Sequence, residues 1–294
     1  MDQLQAYLDY LQFERGLSPL TVKHYRRDLD LLLSLKAELK FEIDLPALQT
    51  THIRRCIATL HSRGLGGKSI ARHLSGWRGY FEYLVKRHGA VSNPCHDMRA
   101  PKAPKTLPKA LPVDQAVKLV ALEGDDDLTL RDRAILELFY SSGLRLSELT
   151  GMNLPDLDLR AGTVLVTGKG NKSRIVPVGS HAISALQSWL QVRQPASGEE
   201  AAVFLNQSGQ RISGRAIQYR IKQWAIKQGI GSNVHPHMLR HSFASHVLQS
   251  SGDLRAVQEM LGHANISTTQ VYTHLDFQHL AKVYDAAHPR ARKK

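Results

Sequence analysis

Apolar residues recur along most of this chain at spacings of three and four, the period of an α-helix with one buried face. Near the start, Val22, Tyr25, Leu29, Leu32 and Leu33 form one such stripe. It is opened by Ser18 as N-cap and by Pro19 at the first helical position, where a missing amide costs nothing. Ile70, Leu74, Trp77, Phe81 and Leu84 form a second stripe, with Arg72, Arg78, Lys86 and Arg87 off it. Helices are also expected near 2–14 and 51–63, and no segment here alternates as a strand does. Residues 1–88 therefore read as a four-helix domain with basic outer faces.

Between Gly89 and Pro112 the pattern stops. Five of the twelve prolines fall there, in GAVSNPCHDMRAPKAPKTLPKALP. Proline removes amide donors and disfavours helix in the residue before it, so 89–112 reads as a semi-extended linker. It carries Arg99, Lys102, Lys105 and Lys109, with no acid after Asp97. From 113 to 294 the pattern is mixed. Helices are expected near 113–122, 128–141, 145–151, 180–193, 213–228, 237–250, 253–261 and 268–286. TVLVTGKGNKSRIVPV reads as a β-hairpin, two β-branched runs joined by a glycine-rich turn. The fold class is mainly α, an N-terminal four-helix domain followed by a mixed α domain with a small antiparallel β-sheet.

Charge changes the picture more than composition does. Thirty-nine Lys and Arg stand against 26 Asp and Glu, for a net charge of +13. The excess is spread, with 17 basic and 10 acidic residues through Lys105 and 22 and 16 after it. A polyanion, and nucleic acid first, is the natural partner of two basic domains. No apolar run approaches 18 residues, so no membrane insertion is expected. MDQLQAYLDY lacks a basic region followed by an apolar core, so no secretory signal is expected. Cys56 and Cys95 have no CxxC partner, which fits neither a disulfide framework nor a zinc finger. These readings place the protein in the cytoplasm.

Five segments carry candidate chemistry. In HPHMLRHSFASHVLQ (235–249), Leu239, Phe243, Ala244, Val247 and Leu248 make one apolar arc, and Arg240 and His237 fall inside it. A guanidinium on a core face needs an anion, either a buried carboxylate or a bound one. In SSGLRLSEL (141–149), Gly143 reads as a left-handed helix cap, and Arg145 begins the next helix with Glu148 one turn on. GKGNK (168–172) puts Lys169 at the hairpin tip; GxxxxGK[ST] is not met, so a nucleotide loop is rejected. LGHANIS (261–267) puts His263 in a tight turn after Gly262. STTQVYTHLD (267–276) opens with a capping box, Ser267 and Gln270, and places Tyr272 early in a helix, where packing is the plain alternative. His237 and His241 have metal-ligand spacing, but HMLRH lacks the glutamate of HExxH and sets Arg240 beside the would-be ion. Asp125, Asp126 and Asp127 are consecutive and read as a loop.

Taken together these groups answer what a reacting phenol lacks. A neutral tyrosine, with a pKa of about 10, is a weak nucleophile. To attack a phosphodiester it needs cations on the non-bridging oxygens, a proton acceptor, and a donor for the departing alkoxide. Two arginines suit the first need, histidine the second and lysine the third. R145, K169, H237-x-x-R240, H263 and Y272, in that order, resemble the signature of the tyrosine recombinase (phage integrase) family, and the words around them do too. The tail HLDFQHLAKVYDAAHPRA is similar to the XerC branch of the Xer type rather than to its partner XerD.

The resemblance implies a SAM-like DNA-binding domain followed by the tyrosine recombinase catalytic fold. It implies that Tyr272 is a nucleophile forming a 3′-phosphotyrosyl link. Arg145, Arg240 and His263 would stabilise the transition state, Lys169 would protonate the leaving oxygen, and His237 would assist, with Glu148 supporting the site. No metal and no ATP is implied. The implied partners are double-stranded DNA with a specific recombination site and an XerD-like recombinase in a 2+2 heterotetramer, under control of a septal DNA translocase. The implied task is resolution of chromosome dimers at the bacterial nucleoid. Phe277, Leu280, Val283 and Tyr284 form a stripe suited to a neighbouring subunit, or to the chain's own domain. A type IB topoisomerase-like strand transferase and a non-catalytic DNA-binding protein are the competing readings.

Overall fold

The computed structural model describes residues 3–102, 110–168, 173–230, 234–262 and 283–291. The chain divides into two compact units, Met1–Thr106 and Leu107–Lys294.

The first unit is built from α1 (Gln3–Asp9), α2 (Pro19–Glu38), α3 (Thr50–Ser62) and α4 (Gly67–His88), with α1 running on as a π-helical turn over Tyr10–Glu14. Ser18 caps α2, its Oγ accepting from the Thr21 amide at 3.2 Å, and Pro19 follows as the sequence predicts. The α4 stripe from Ile70 to Leu84 is buried throughout. On α2, Leu33 lies at the exposed edge and Leu35 is buried in its place, because the inward face runs through Asp28, Leu29, Leu32 and Leu35. Asp28 is thus a buried carboxylate, and α4 answers it. Arg72 Nη1 donates to it at 2.5 Å, His73 Nδ1 lies 2.8 Å away, and the Trp77 indole donates to the Asp28 carbonyl at 2.6 Å. The first half of the proline-rich stretch turns back onto α4. Arg78 donates to the carbonyls of Cys95 and Met98, and Cys95 is fully buried.

The second unit centres on α6 (Asp127–Ser142), buried on nearly all sides from Thr129 to Ser142. Against it lie α5 (Val113–Val120), α8 (Ser180–Val192), α9 (Gly214–Lys227) and α10 (Pro236–Ser251). Its charged pair is satisfied internally. Asp132 accepts from Arg131, from Arg220 at 2.5 Å and from the Trp224 indole at 2.9 Å, which pins α6 to α9. The hairpin is present as β2 (Thr163–Thr167) and β3 (Ser173–Pro177), and a two-residue strand β1 (Leu157–Asp158) extends it to an antiparallel sheet in the order β1-β2-β3. In its register Val164 faces Val176 and Val166 faces Arg174. Short α7 (Leu146–Gly151) and α11 (Leu254–Leu261) complete the unit.

Most of the helix expected at 268–286 lies outside the described residues; 283–287 are helical. Here Val283 and Tyr284 pack within their own unit. Tyr284 bonds the Ser141 hydroxyl at 2.8 Å, Arg290 pairs with buried Glu137, and the Ser180 amide donates to the Ala291 carbonyl at 3.0 Å. Phe277 and Leu280 are outside the described residues.

Candidate active site

Two glycine-terminated helices set the site. Helix α6 ends at Gly143 in the left-handed region (φ 57°), where a side chain would collide with Phe243 of α10. That close approach presents the Gly143 carbonyl to Arg240 Nη1 at 2.5 Å. Helix α11 ends at Gly262 in the same conformation (φ 62°). The last carbonyls of a helix lack intrahelical partners and carry its negative dipole end. Here three arginines take three in succession. Arg174 Nε donates to Met260 O at 3.0 Å, Arg240 Nη2 to Leu261 O at 2.6 Å, and Arg145 Nη2 to Gly262 O at 3.0 Å.

Glu148 holds the other side. Its side chain is fully buried and accepts four bonds, from the Arg145 amide (2.8 Å), Arg145 Nη1 (2.7 Å), Arg174 Nη1 (2.7 Å) and Arg174 Nη2 (3.0 Å). The amide bond is half of a capping box, because Arg145 is the N-cap of α7 and Glu148 its third residue. Burial opposes ionisation of Glu148, but the Arg174 fork and the Arg145 amide and guanidinium outweigh it and hold the carboxyl down to about 2. Burial, then the neighbouring Arg145 cation, push Arg240 down to about 10, so it stays charged at neutral pH. Three guanidinium groups and one carboxylate leave a formal excess of two positive charges, with Arg145 half-exposed above them. Such a cluster suits a phosphodiester.

The structure thus brings Arg145, Glu148 and Arg240 together as neighbours. Arg240 is buried, as the apolar arc predicts, but the partners the structure gives it are backbone carbonyls rather than a carboxylate. His237 departs from the arc. It is exposed in the first turn of α10, stacked on His235 at 6.5 Å, because the buried face of the helix runs through Pro236, Leu239, Arg240 and Phe243 and leaves His237 to one side. Lys169, His263 and Tyr272 lie outside the described residues, as do Ser267 and Gln270. Arg174 was not among the residues singled out from the sequence. The signal was there: within SRIVP it shares the inward face with Val176, and a charge on that face asks for a partner. Ser242 and His246 on α10 were also missed. The Ser242 hydroxyl accepts from the Leu111 amide and His246 Nε2 lies 2.9 Å from the Leu111 carbonyl, which ties the chain entering this unit to the Arg240 helix.

Residues 109–279 match the phage integrase family, and residues 4–88 match the N-terminal SAM-like domain of phage integrases. The tyrosine recombinase XerC of Ralstonia pickettii is 55% identical, across 99% of this chain and 95% of its own. XerC of Xanthomonas axonopodis pv. citri is 54% identical, across 100% and 99%. Among solved structures, XerH site-specific recombinase bound to palindromic difH substrate in a post-cleavage complex is similar with a TM-score of 0.69 at 25% identity, covering 92% of this chain and 81% of that one.

Proposed function

This chain belongs to the phage integrase family and is a tyrosine-type site-specific recombinase, and from that premise we propose that Tyr272 is its nucleophile. The Tyr272 oxygen, giving up its proton to a histidine of the set, attacks the scissile phosphorus while the bond to the 5′ oxygen breaks. The products are a 3′-phosphotyrosyl link and a free 5′-hydroxyl. Arg145 and Arg240, with His263, neutralise the two non-bridging oxygens as charge builds on them. Lys169 gives its proton to the departing 5′ oxygen, and His237 hydrogen-bonds the phosphate or assists the proton transfer. Glu148 holds Arg145 from behind. Energy of the broken bond is kept in the phosphotyrosyl link, so religation asks for no ATP, and the arginines serve where a metal would otherwise be needed.

One observation carries this reading: the arginine cluster around buried Glu148, with its two surplus positive charges. Similarity to XerC proteins supports the finer assignment. The protein acts on double-stranded DNA at a specific site, with an XerD-like recombinase in a 2+2 heterotetramer, to resolve chromosome dimers under a septal DNA translocase. It does so in the cytoplasm, where the chromosome it acts on lies. Of the stripe suited to a neighbouring subunit, Phe277 and Leu280 remain the candidates, since Val283 and Tyr284 pack within their own unit.

The test is a nicked suicide substrate carrying a candidate Xer site, with and without an XerD-like partner. Wild-type protein forms a covalent adduct, and Tyr272→Phe binds the same DNA and forms none. An adduct persisting in Tyr272→Phe sinks the assignment. Relaxation of supercoils without strand exchange would move the reading to a type IB topoisomerase-like enzyme.

A further inference from the structure

Arg174 ties together three elements of the cluster. It leaves β3, the strand that follows the hairpin tip, with its guanidinium almost wholly buried. Two of its nitrogens grip both oxygens of Glu148, at the start of α7, and the third grips the Met260 carbonyl, at the end of α11. The fit over α11 is close. A Cβ on Gly262 would stand 3.0 Å from Arg174 Cδ and Nε, so a glycine in the left-handed region lets the side chain lie across that end.

The division of donors on Glu148 is uneven. Arg174 gives it a two-bond fork, whereas Arg145 gives one guanidinium nitrogen and its backbone amide, and keeps Nη2 on Gly262. Remove the fork, and among the described residues Arg145 is the one cation left on the buried carboxylate. A bidentate pair between the two would turn the Arg145 guanidinium inward and spend its charge there.

We propose that Arg174 is a positioning residue for strand cleavage: by satisfying Glu148 it keeps the Arg145 guanidinium turned to the scissile phosphate. This rests on the reading of Arg145 and Tyr272 given above. Arg174 touches no reacting atom. It acts through Glu148 and through the carbonyl ladder at the end of α11. The alternative is an ion pair that only holds the fold, and the two differ in what the phosphate's charge does to a variant.

The experiment is single-turnover adduct formation at saturating DNA by wild type, Arg174→Lys and Arg174→Met. The substrates carry either a normal phosphodiester or a neutral methylphosphonate at the scissile position. DNA affinity and thermal melting are measured alongside. On the phosphodiester, Arg174→Met is slower by roughly 100-fold, with Arg174→Lys between it and wild type, because lysine restores the charge but not the fork. On the methylphosphonate the deficit of both variants shrinks to roughly tenfold or less, since a neutral centre asks less of Arg145. DNA affinity is retained. Rates within about threefold of wild type on the phosphodiester would overturn the proposal. So would equal deficits on the two substrates, which is what a structural role gives. Should Arg174→Met fail to fold, Arg174→Lys decides by the same comparison. Wild type forming no adduct would defeat the Tyr272 reading itself, and this one with it; wild-type adduct with unimpaired variants defeats this one alone.

Discussion

Glu148 is a carboxylate that three arguments meet on: it caps α7, it pairs with Arg174, and it positions Arg145. Its ordinary value is 4.5 and its folded value about 2. The unfolded chain therefore binds the proton first as pH falls. The stability Glu148 contributes is present above about pH 4.5 and is lost as the pH drops toward 2. Urea unfolding of wild type and Glu148→Gln should differ by roughly 2–3 kcal/mol at pH 6, with the gap narrowing steadily below pH 4.5. A gap that does not change with pH would contradict the assignment. At this scale the sequence was legible where a charge interrupts an apolar pattern. Arg240 stood out on its helix for that reason. Arg174 did so equally, on the inward face of a strand, but a single position in a five-residue strand is a weak pattern beside a four-turn helix. What no pattern gives is the partner. That Arg240 ends on the carbonyls of Gly143 and Leu261 follows from two helix ends meeting in space.

Elements were legible where caps and periodicity agree, as at Ser18-Pro19 and at the glycines ending α6 and α11. The π-helical turn at Tyr10–Glu14 and the two-residue β1 were not, because neither is long enough to show a period. Tyr284 docks on Ser141, and His288 is buried between the rings of Tyr140 (4.9 Å) and Tyr284 (5.1 Å). Burial pushes the His288 imidazole down to about 3. The folded state thus keeps it neutral while the unfolded chain takes up a proton below its ordinary 6.5, so stability falls as pH drops from 6.5 toward 3. In His288→Phe that loss is removed. His246, also lowered by burial, remains in both proteins and contributes equally. Between pH 7 and pH 5 the melting temperature of wild type should fall by roughly 4–8 °C more than that of His288→Phe. Parallel curves would contradict the burial argument.

For the whole molecule, the sequence carried two basic halves, a proline-rich stretch between helical patterns, and six chemistry-bearing positions in a family-like order. The structure adds what holds three of the named residues together: two left-handed glycines, a buried carboxylate and the terminal carbonyls of one helix. Several of those contacts join residues far apart in the chain, 97 positions between Arg240 and Gly143 and 117 between Arg145 and Gly262, and local pattern does not reach that far. The central claim is that one of the nine tyrosines attacks DNA, and that it is Tyr272. Trypsin cuts after Arg255 and Lys282, and the peptide between them contains Tyr272 and no other tyrosine. The direct measurement is to trap the adduct on a labelled suicide substrate, digest protein and DNA, and locate the phosphotyrosyl label by mass spectrometry. The account predicts the label on the 256–282 peptide, at Tyr272; a label on any other tyrosine peptide would contradict it.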